Sequence, residues 1–97
     1  MVNIAILISL KIFIMSNWKL EPPKLKKEYK FKNFLSAISF VNEVAKISEE
    51  LNHHPNIYIY YNVVIIETWT HSENNITEKD YELAKKIDEV LEQLNQE

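Results

Sequence analysis

The sequence predicts an α+β protein in which one antiparallel sheet carries helices on one face. Apolar residues recur at three- and four-residue steps over 34–52 and again over 77–94, which predicts two amphipathic helices. The stretches 57–61 and 63–70 are rich in β-branched and aromatic residues, which predicts two strands. Two shorter extended segments precede the first of these helices. Including an uncertain element over 1–15, the predicted order is α-β-β-α-β-β-α, and hairpins that alternate with helices describe such a layered fold.

The length and composition predict a single domain over residues 1–97. A chain of 97 residues holds one compact core, and 46% apolar with 26% charged residues is ordinary for a globular protein. The net charge of -3 argues against direct binding to nucleic acid, since such proteins usually carry a basic face. The absence of cysteine excludes disulfides, thiolate metal sites and cysteine nucleophiles. We take the cytoplasm as the default location.

The N-terminal segment 1–15 is atypical because it is almost entirely apolar. It is shorter than the roughly 20 residues of a membrane span, and it lacks the basic start and small-residue cleavage site of a signal peptide. We expect a buried first helix or strand. A membrane or export segment, or an upstream extension with Met15 as the natural start, remains open as an alternative.

The first hairpin is predicted around the Pro22-Pro23 turn, since paired prolines forbid a continuous helix. Its second segment, 25–31, is interleaved with lysines and is predicted to be an exposed edge strand. In the second hairpin both faces of the strand 63–70 are largely apolar. This predicts that other parts of the protein pack against both faces, one of them being another subunit. Because the chain has no glycine, turns that need positive φ are expected to use Asn or Asp.

The helix boundaries follow from capping residues and proline. Asn33 is predicted to cap a helix from Phe34 to about Asn52, and Pro55 to stop it near His53. Thr77 and Asp80 have the capping-box spacing that predicts the start of the last helix. The predicted apolar stripe of the first of these helices consists of Phe34, Leu35, Ile38, Val41, Ala45, Ser48 and Leu51, widened by Phe40, Val44 and Ile47.

Three histidines are the candidate catalytic residues. His53 and His54 follow a helix, and the hairpin after them returns the chain to His71, so the topology is expected to bring the three imidazoles together. Imidazole can give and take protons near neutral pH, and a dehydration needs both steps. Asp80 is the candidate that would orient or charge-stabilise one of the rings.

Other interpretations of these residues stay open on the sequence. A histidine at a helix C-terminus often interacts with the helix dipole, and Asp80 could be only an acidic residue of a first helical turn. Three histidines could bind zinc, but adjacent histidines seldom ligate one tetrahedral ion. We therefore predict no metal and no cofactor.

The whole pattern resembles the pterin-4a-carbinolamine dehydratase family. The residues that carry the resemblance are Glu49-x-x-x-His53-His54-Pro55, then Thr70-His71, then Ile76-Thr77-x-x-Asp80, with further matches from Trp18 to Asp88. The sequence departs from the family where Asn74-Asn75 replaces the usual Gly-Gly, although Asn tolerates left-handed backbone.

The resemblance implies an α+β fold with a four-stranded antiparallel sheet, assembled as a homodimer or homotetramer. It implies dehydration of 4a-hydroxytetrahydropterin to quinonoid dihydropterin, as in tetrahydrobiopterin recycling. His53, His54, His71 and Asp80 would form the catalytic site, and Glu49, Pro55 and Trp18 would bind substrate, with packing of the core as the alternative role of Trp18. We assign the proton transfers to His54 and His71 and a substrate hydrogen bond to His53, with exchange of roles left open. Glu49, one turn before His53, would hydrogen-bond or shield it.

Two alternatives come from the breadth of this family. One is a non-enzymatic protein-interaction module that resembles a transcriptional coactivator, supported by apolar surfaces that exceed one small core. The other is an accessory role in another pterin pathway, such as molybdopterin metabolism.

Overall fold

The computed structural model describes residues 17–95, so the predicted first element over 1–15 lies outside the described residues. It contains four strands, two long helices and one short 3₁₀ helix. In chain order these are β1 (Lys19–Glu21), β2 (Lys24–Lys30), α1 (Phe34–Leu51), β3 (Asn56–Tyr60), β4 (Val63–Thr68), the 3₁₀ helix (His71–Glu73) and α2 (Glu78–Asn95). The predicted α+β class is confirmed.

The strands form one antiparallel sheet in the order β1-β2-β4-β3. β2 therefore pairs on both sides, and the prediction that it is an edge strand was wrong. Lys24, Lys26 and Lys30 lie on the sheet face away from the core, whereas Lys27 lies on the core side and pairs with Asp88 of α2 at 2.8 Å. This lysine-rich composition made an inner strand look like an edge. The edges are β1 and β3.

The core lies between the sheet and the two helices. Val64 and Ile66 from β4 are fully buried, as are Phe40 from α1 and Ile87 from α2. Removing side chains of this size from water contributes about 1.5–3 kcal/mol each. The rest of the buried apolar cluster consists of Trp18, Leu25, Tyr29, Ala37, Val44, Ile47, Leu83 and Ala84.

The helix α1 begins at the predicted cap and faces the core with a different stripe from the one predicted. The Asn33 side chain accepts the Ser36 N–H at 2.8 Å. Phe34 and Leu35 are 47% and 76% exposed, whereas the buried positions are Ala37, Phe40, Val44, Ile47 and Ser48. The sequence of this helix contains two interleaved apolar stripes. The buried residues show that the stripe through Phe40, Val44 and Ile47, predicted only to widen the other, is the one that packs against the core.

Within residues 17–95, asparagine takes the place of glycine at two of the three turns with positive φ. Asn52 (φ 51°) ends α1 and Asn74 (φ 48°) ends the 3₁₀ helix, as the lack of glycine predicted. The third position is Tyr61 (φ 52°), in the two-residue turn between β3 and β4. Of these turns, the one at Asn52 matters most for the site, because it redirects the chain just before the paired histidines.

Within residues 17–95, neither helix combines the length and apolarity that crossing a bilayer requires.

Candidate active site

The candidate site is built where three chain segments meet: the residues after α1, the end of β4 and the first turn of α2. The left-handed residue Asn52 closes α1, with backbone hydrogen bonds from Asn52 N–H to Glu49 O and from His53 N–H to Ser48 O. This turn releases His53 and His54 from the helix into the connection to β3. The two neighbouring imidazoles then have different environments.

Asp80 is the centre of the site. It is fully buried in the first turn of α2. One carboxylate oxygen, Oδ1, lies 2.6 Å from His53 Nε2 and accepts the Thr68 hydroxyl at 2.6 Å. The other, Oδ2, accepts the Thr70 hydroxyl and the Thr77 N–H, both at 2.8 Å. One carboxylate thus joins all three segments.

These donors keep Asp80 ionised. Burial by itself would raise the pKa of Asp80, because it disfavours the charged form. The hydrogen bonds from Thr68, His53, the Thr77 N–H and Thr70 outweigh that effect and lower the pKa below its ordinary value of 3.8. An ionised carboxylate can only accept hydrogen bonds. His53 therefore donates through Nε2–H, which leaves its Nδ1 as the ring nitrogen able to exchange a proton.

His53 and His54 differ sharply in exposure. The His53 side chain is 12% exposed, against 55% for His54. His54 Nε2 lies 3.2 Å from Glu49 Oε2. The expectation that Glu49 would contact His53 was therefore wrong, because the turn at Asn52 carries His53 toward Asp80 and leaves His54 beside Glu49.

His71 is exposed and stacks on Trp69. The two ring centroids are 4.2 Å apart and the planes are inclined at 27°. His71 follows Thr70, whose hydroxyl binds the same carboxylate as His53. Asp80 therefore ties the strand end that carries His71 to the loop that carries His53. That all three rings line one cavity remains a prediction.

The two other residues predicted to bind substrate lie in different surroundings. Pro55 is half-buried between His54 and the first residue of β3. Trp18 is 7% exposed and donates its indole N–H to Asp88 at 3.0 Å. Asp88 is eight residues beyond Asp80 on α2, about 12 Å along the helix axis. The structure therefore does not bring Trp18 to the Asp80 centre.

Thr68 and Thr70 are site residues that the sequence analysis did not assign a role. A signal for them existed in the alternation along β4, where Val64 and Ile66 are succeeded on the buried face by Thr68 and Thr70. Buried hydroxyls require partners. Two threonines on the same buried face at the end of a strand are a signal for a buried hydrogen-bond acceptor opposite them.

We compared two cavities as possible ligand-binding sites. One of about 490 Å³ adjoins the centre and is lined by residues that include Thr70, Asn75 and Thr77. Another, of about 600 Å³, lies at the opposite end of both helices, and no histidine or carboxylate lines it. We place the site beside the first cavity because Thr70 and Thr77, which line it, also bind the Asp80 carboxylate; none of the three histidines is among its lining residues. No cluster of three or more His, Asp or Glu side chains that could hold a metal occurs in the part of the chain that the structure describes.

Comparison with known proteins identifies the family of the chain. The family model described as "Pterin 4 alpha carbinolamine dehydratase" matches residues 6–90. A Sulfolobus acidocaldarius protein with the provisional name pterin-4-alpha-carbinolamine dehydratase is 49% identical over 76 residues, which cover 78% of this chain and 84% of that protein. A similarly named protein of Sulfurisphaera tokodaii is 46% identical over 77 residues, covering 79% and 83%.

Solved structures show the same fold. The transcriptional coactivator/pterin dehydratase from Brucella melitensis superposes with a TM-score of 0.79 at 30% identity, over 86% of this chain and 90% of that one. A pterin dehydratase-like protein identified as a RuBisCO assembly factor in the alpha-carboxysome superposes with a TM-score of 0.61 at 26% identity, over 73% and 82%. The family model and these relatives show that the chain belongs to the pterin-4a-carbinolamine dehydratase family.

Proposed function

We propose that this protein is a dehydratase that converts 4a-hydroxytetrahydropterin to quinonoid dihydropterin and water. The observation that carries the proposal is the 2.6 Å contact between His53 and the fully buried, ionised Asp80. A histidine held in one tautomer by a carboxylate is a common arrangement for proton transfer. The proposal needs neither metal nor cofactor.

The reaction requires two proton transfers. The substrate carries a hydroxyl and a ring nitrogen on the same carbon, so loss of water forms a carbon–nitrogen double bond. One group must take the proton from that nitrogen, and another must protonate the departing hydroxyl. Two imidazoles in opposite protonation states can do both near neutral pH.

We assign these transfers to His53 and His71, and a substrate hydrogen bond to His54. This exchanges the roles first predicted for His53 and His54. Asp80 would stabilise positive charge on His53 whenever its Nδ1 takes up a proton. His54 is more exposed and its partner Glu49 is 79% exposed, so this pair is suited to contact the polar rim of a ligand.

The test is the loss of the 4a-hydroxy species, followed by ultraviolet absorbance. We expect the intact protein to accelerate it, and His71→Ala to reduce the enzyme-catalysed rate about 10²-fold, the scale of one general acid or base. Lys46→Ala is the matched control, since Lys46 pairs with Glu43 on the exposed face of α1. A wild-type rate equal to that in buffer would exclude the proposal.

A second candidate function is a protein-interaction module that also self-associates as a homodimer or homotetramer. The edge strand β3 exposes Tyr58, Ile59 and Tyr60 by 41%, 38% and 60%. An unpaired, apolar edge invites another chain. The Brucella melitensis relative is also described as a transcriptional coactivator. Sedimentation of wild type and Ile59→Lys tests self-association: we expect the variant to shift toward the monomer, and a wild-type monomer contradicts the idea.

A further inference from the structure

We infer that Trp69 is a positioning residue for His71, holding the imidazole in the orientation that proton transfer needs. This inference rests on the proposed function. It is carried by a continuous set of contacts at the end of β4 that links a buried carboxylate to the His71 ring. None of these contacts involves Asp80.

The first contact is the ring stack itself. His71 is exposed and begins a short 3₁₀ helix. The indole of Trp69 stacks on its ring, with centroids 4.2 Å apart, and so restricts the orientations open to the imidazole. Trp69 lies between Thr68 and Thr70, both of which point at Asp80. By strand alternation its own side chain points away from Asp80.

The second contact fixes the indole. Lys24 Nζ lies 4.9 Å from the centroid of a Trp69 ring. The register that pairs Leu25 with Thr68 places Lys24 beside Trp69 on the neighbouring strand. An ammonium over an indole face is attracted by the ring's electrons. Trp69 is thereby held by β2 as well as by its own strand.

The third contact fixes the lysine. Lys24 Nζ lies 3.4 Å from Glu67 Oε1, which also accepts the Tyr58 hydroxyl at 3.1 Å. Glu67 is only 8% exposed. Burial alone would raise the pKa of Glu67, but the Tyr58 hydroxyl, Lys24 and the Asn56 side chain lower it, so the carboxylate stays charged. The order Glu67, Lys24, Trp69, His71 therefore runs from a fixed buried charge to an exposed proton-transfer group.

The test combines kinetics with a readout independent of turnover. We expect Trp69→Leu to lower kcat about tenfold with little change in KM, since misplacing a reacting group by about 1 Å costs up to 10²-fold. Trp69→Phe, which keeps an aromatic face, should recover most of the rate. In a His71→Ala background Trp69→Leu should have no further effect. Phe34→Leu, which removes an exposed aromatic ring at the far end of α1, is the matched control and should leave the rate unchanged.

Proton NMR of the His71 ring gives the second readout. The stack predicts upfield-shifted ring protons in wild type and in Trp69→Phe, and loss of that shift in Trp69→Leu. Unshifted protons in wild type, or multiplicative rate losses for Trp69→Leu and His71→Ala, would overturn the inference. A wild-type protein that shows the stack but has no dehydratase activity would instead contradict the proposed function. Thermal unfolding of Trp69→Leu by circular dichroism confirms that the measured variant is folded.

Discussion

Helix α2 carries two aspartates that each collect several hydrogen bonds, and they differ in the kind of partner. Asp80 accepts from two threonine hydroxyls and one backbone N–H, and it contacts His53. Asp88 accepts from Trp18, Tyr29 and Lys27 at 2.8–3.0 Å. Asp80 contacts an imidazole, a group that can both donate and accept protons, whereas Asp88 is paired with the ammonium of Lys27. One centre is therefore suited to chemistry and the other to holding α2 on the sheet.

The Asp88 centre has the features of a structural anchor. The Lys27 ammonium also lies over the Trp18 and Tyr29 rings, at 5.8 and 4.8 Å. Burial first, then the charge of Asp88 and its hydrogen bond, raise the pKa of Tyr29, so the phenol stays protonated and donates at neutral pH. This cluster joins β2, α2 and the residue before β1. The following predictions test the difference between the two centres.

The largest expected effect is on activity when Asp80 is changed. Asp80→Asn should lower kcat about 10³-fold, because an amide no longer fixes the His53 tautomer or stabilises its charged form. It should also lower the free energy of unfolding by about 2 kcal/mol, since the amide cannot satisfy all four donors. Ultraviolet rate assays and urea unfolding measure the two losses. A folded Asp80→Asn enzyme with wild-type kcat would refute the assignment of Asp80.

Substitutions of the two adjacent histidines are expected to have the next largest effects, and these effects should differ. His53→Gln is expected to lower kcat about 10²-fold, because it removes the ring that Asp80 holds. His54→Gln should lower kcat/KM about tenfold, mostly through KM, since we assign His54 to substrate contact. Steady-state kinetics at one pH distinguish them. The opposite ranking would restore the roles first predicted, with His54 as the proton-transfer residue.

Asp88 should show the reverse of the Asp80 result. Asp88→Asn is expected to destabilise the protein by about 1–2 kcal/mol, since Lys27 and two neutral donors lose a charged acceptor. We expect kcat to stay within about threefold of wild type, because Asp88 lies about 12 Å along α2 from Asp80. Urea unfolding and the rate assay are the measurements. A large loss of kcat in a stable Asp88→Asn variant would contradict the assignment of Asp88 to a structural role.

The smallest expected effect is on the pH dependence of stability. The folded-state pKa of Asp80 is below its ordinary value of 3.8, so its carboxylate stabilises the fold above that pH. That contribution is lost as pH falls from 3.8 through the lower folded value. The stability difference between wild type and Asp80→Asn should therefore shrink below about pH 4, as followed by urea unfolding. A difference that stays constant with pH would mean that Asp80 does not titrate as inferred.

Local signals predicted much of the fold. The Asn33 cap, the end of α1 before Pro55 and the start of α2 after Thr77 depend on nearby residues, and the structure has each of them within one or two positions. Asparagine was correctly expected at Asn52 and Asn74, whereas the positive φ of Tyr61 was not expected. The inward face of α1 and the position of β2 inside the sheet were not predicted. Both depend on which neighbours pack against the element, and two apolar stripes or a lysine-rich strand fit more than one packing.

The sequence named the candidate site residues but not their contacts. Spacing selected His53, His54, His71 and Asp80, and the family resemblance assigned them a chemistry. The pairings were different: Glu49 lies beside His54, Asp80 holds His53, and Trp69 stacks on His71. Only the His53–Asp80 pair joins distant segments, 27 residues apart. The other two pairs are local, and which ring meets which partner depends on the backbone course at Asn52 and at the end of β4.

The sequence by itself determined the element types, their order, the family and the residues able to exchange protons, since these follow from side-chain chemistry and short-range spacing. Only the tertiary structure decided which imidazole faces a buried charge. The left-handed turn at Asn52 sends one ring inward and leaves its neighbour outside, and the fully buried carboxylate of Asp80 exists only once β4 and α2 have packed together. Burial and ionisation are properties of that packing, and in this protein they separate two chemically identical histidines.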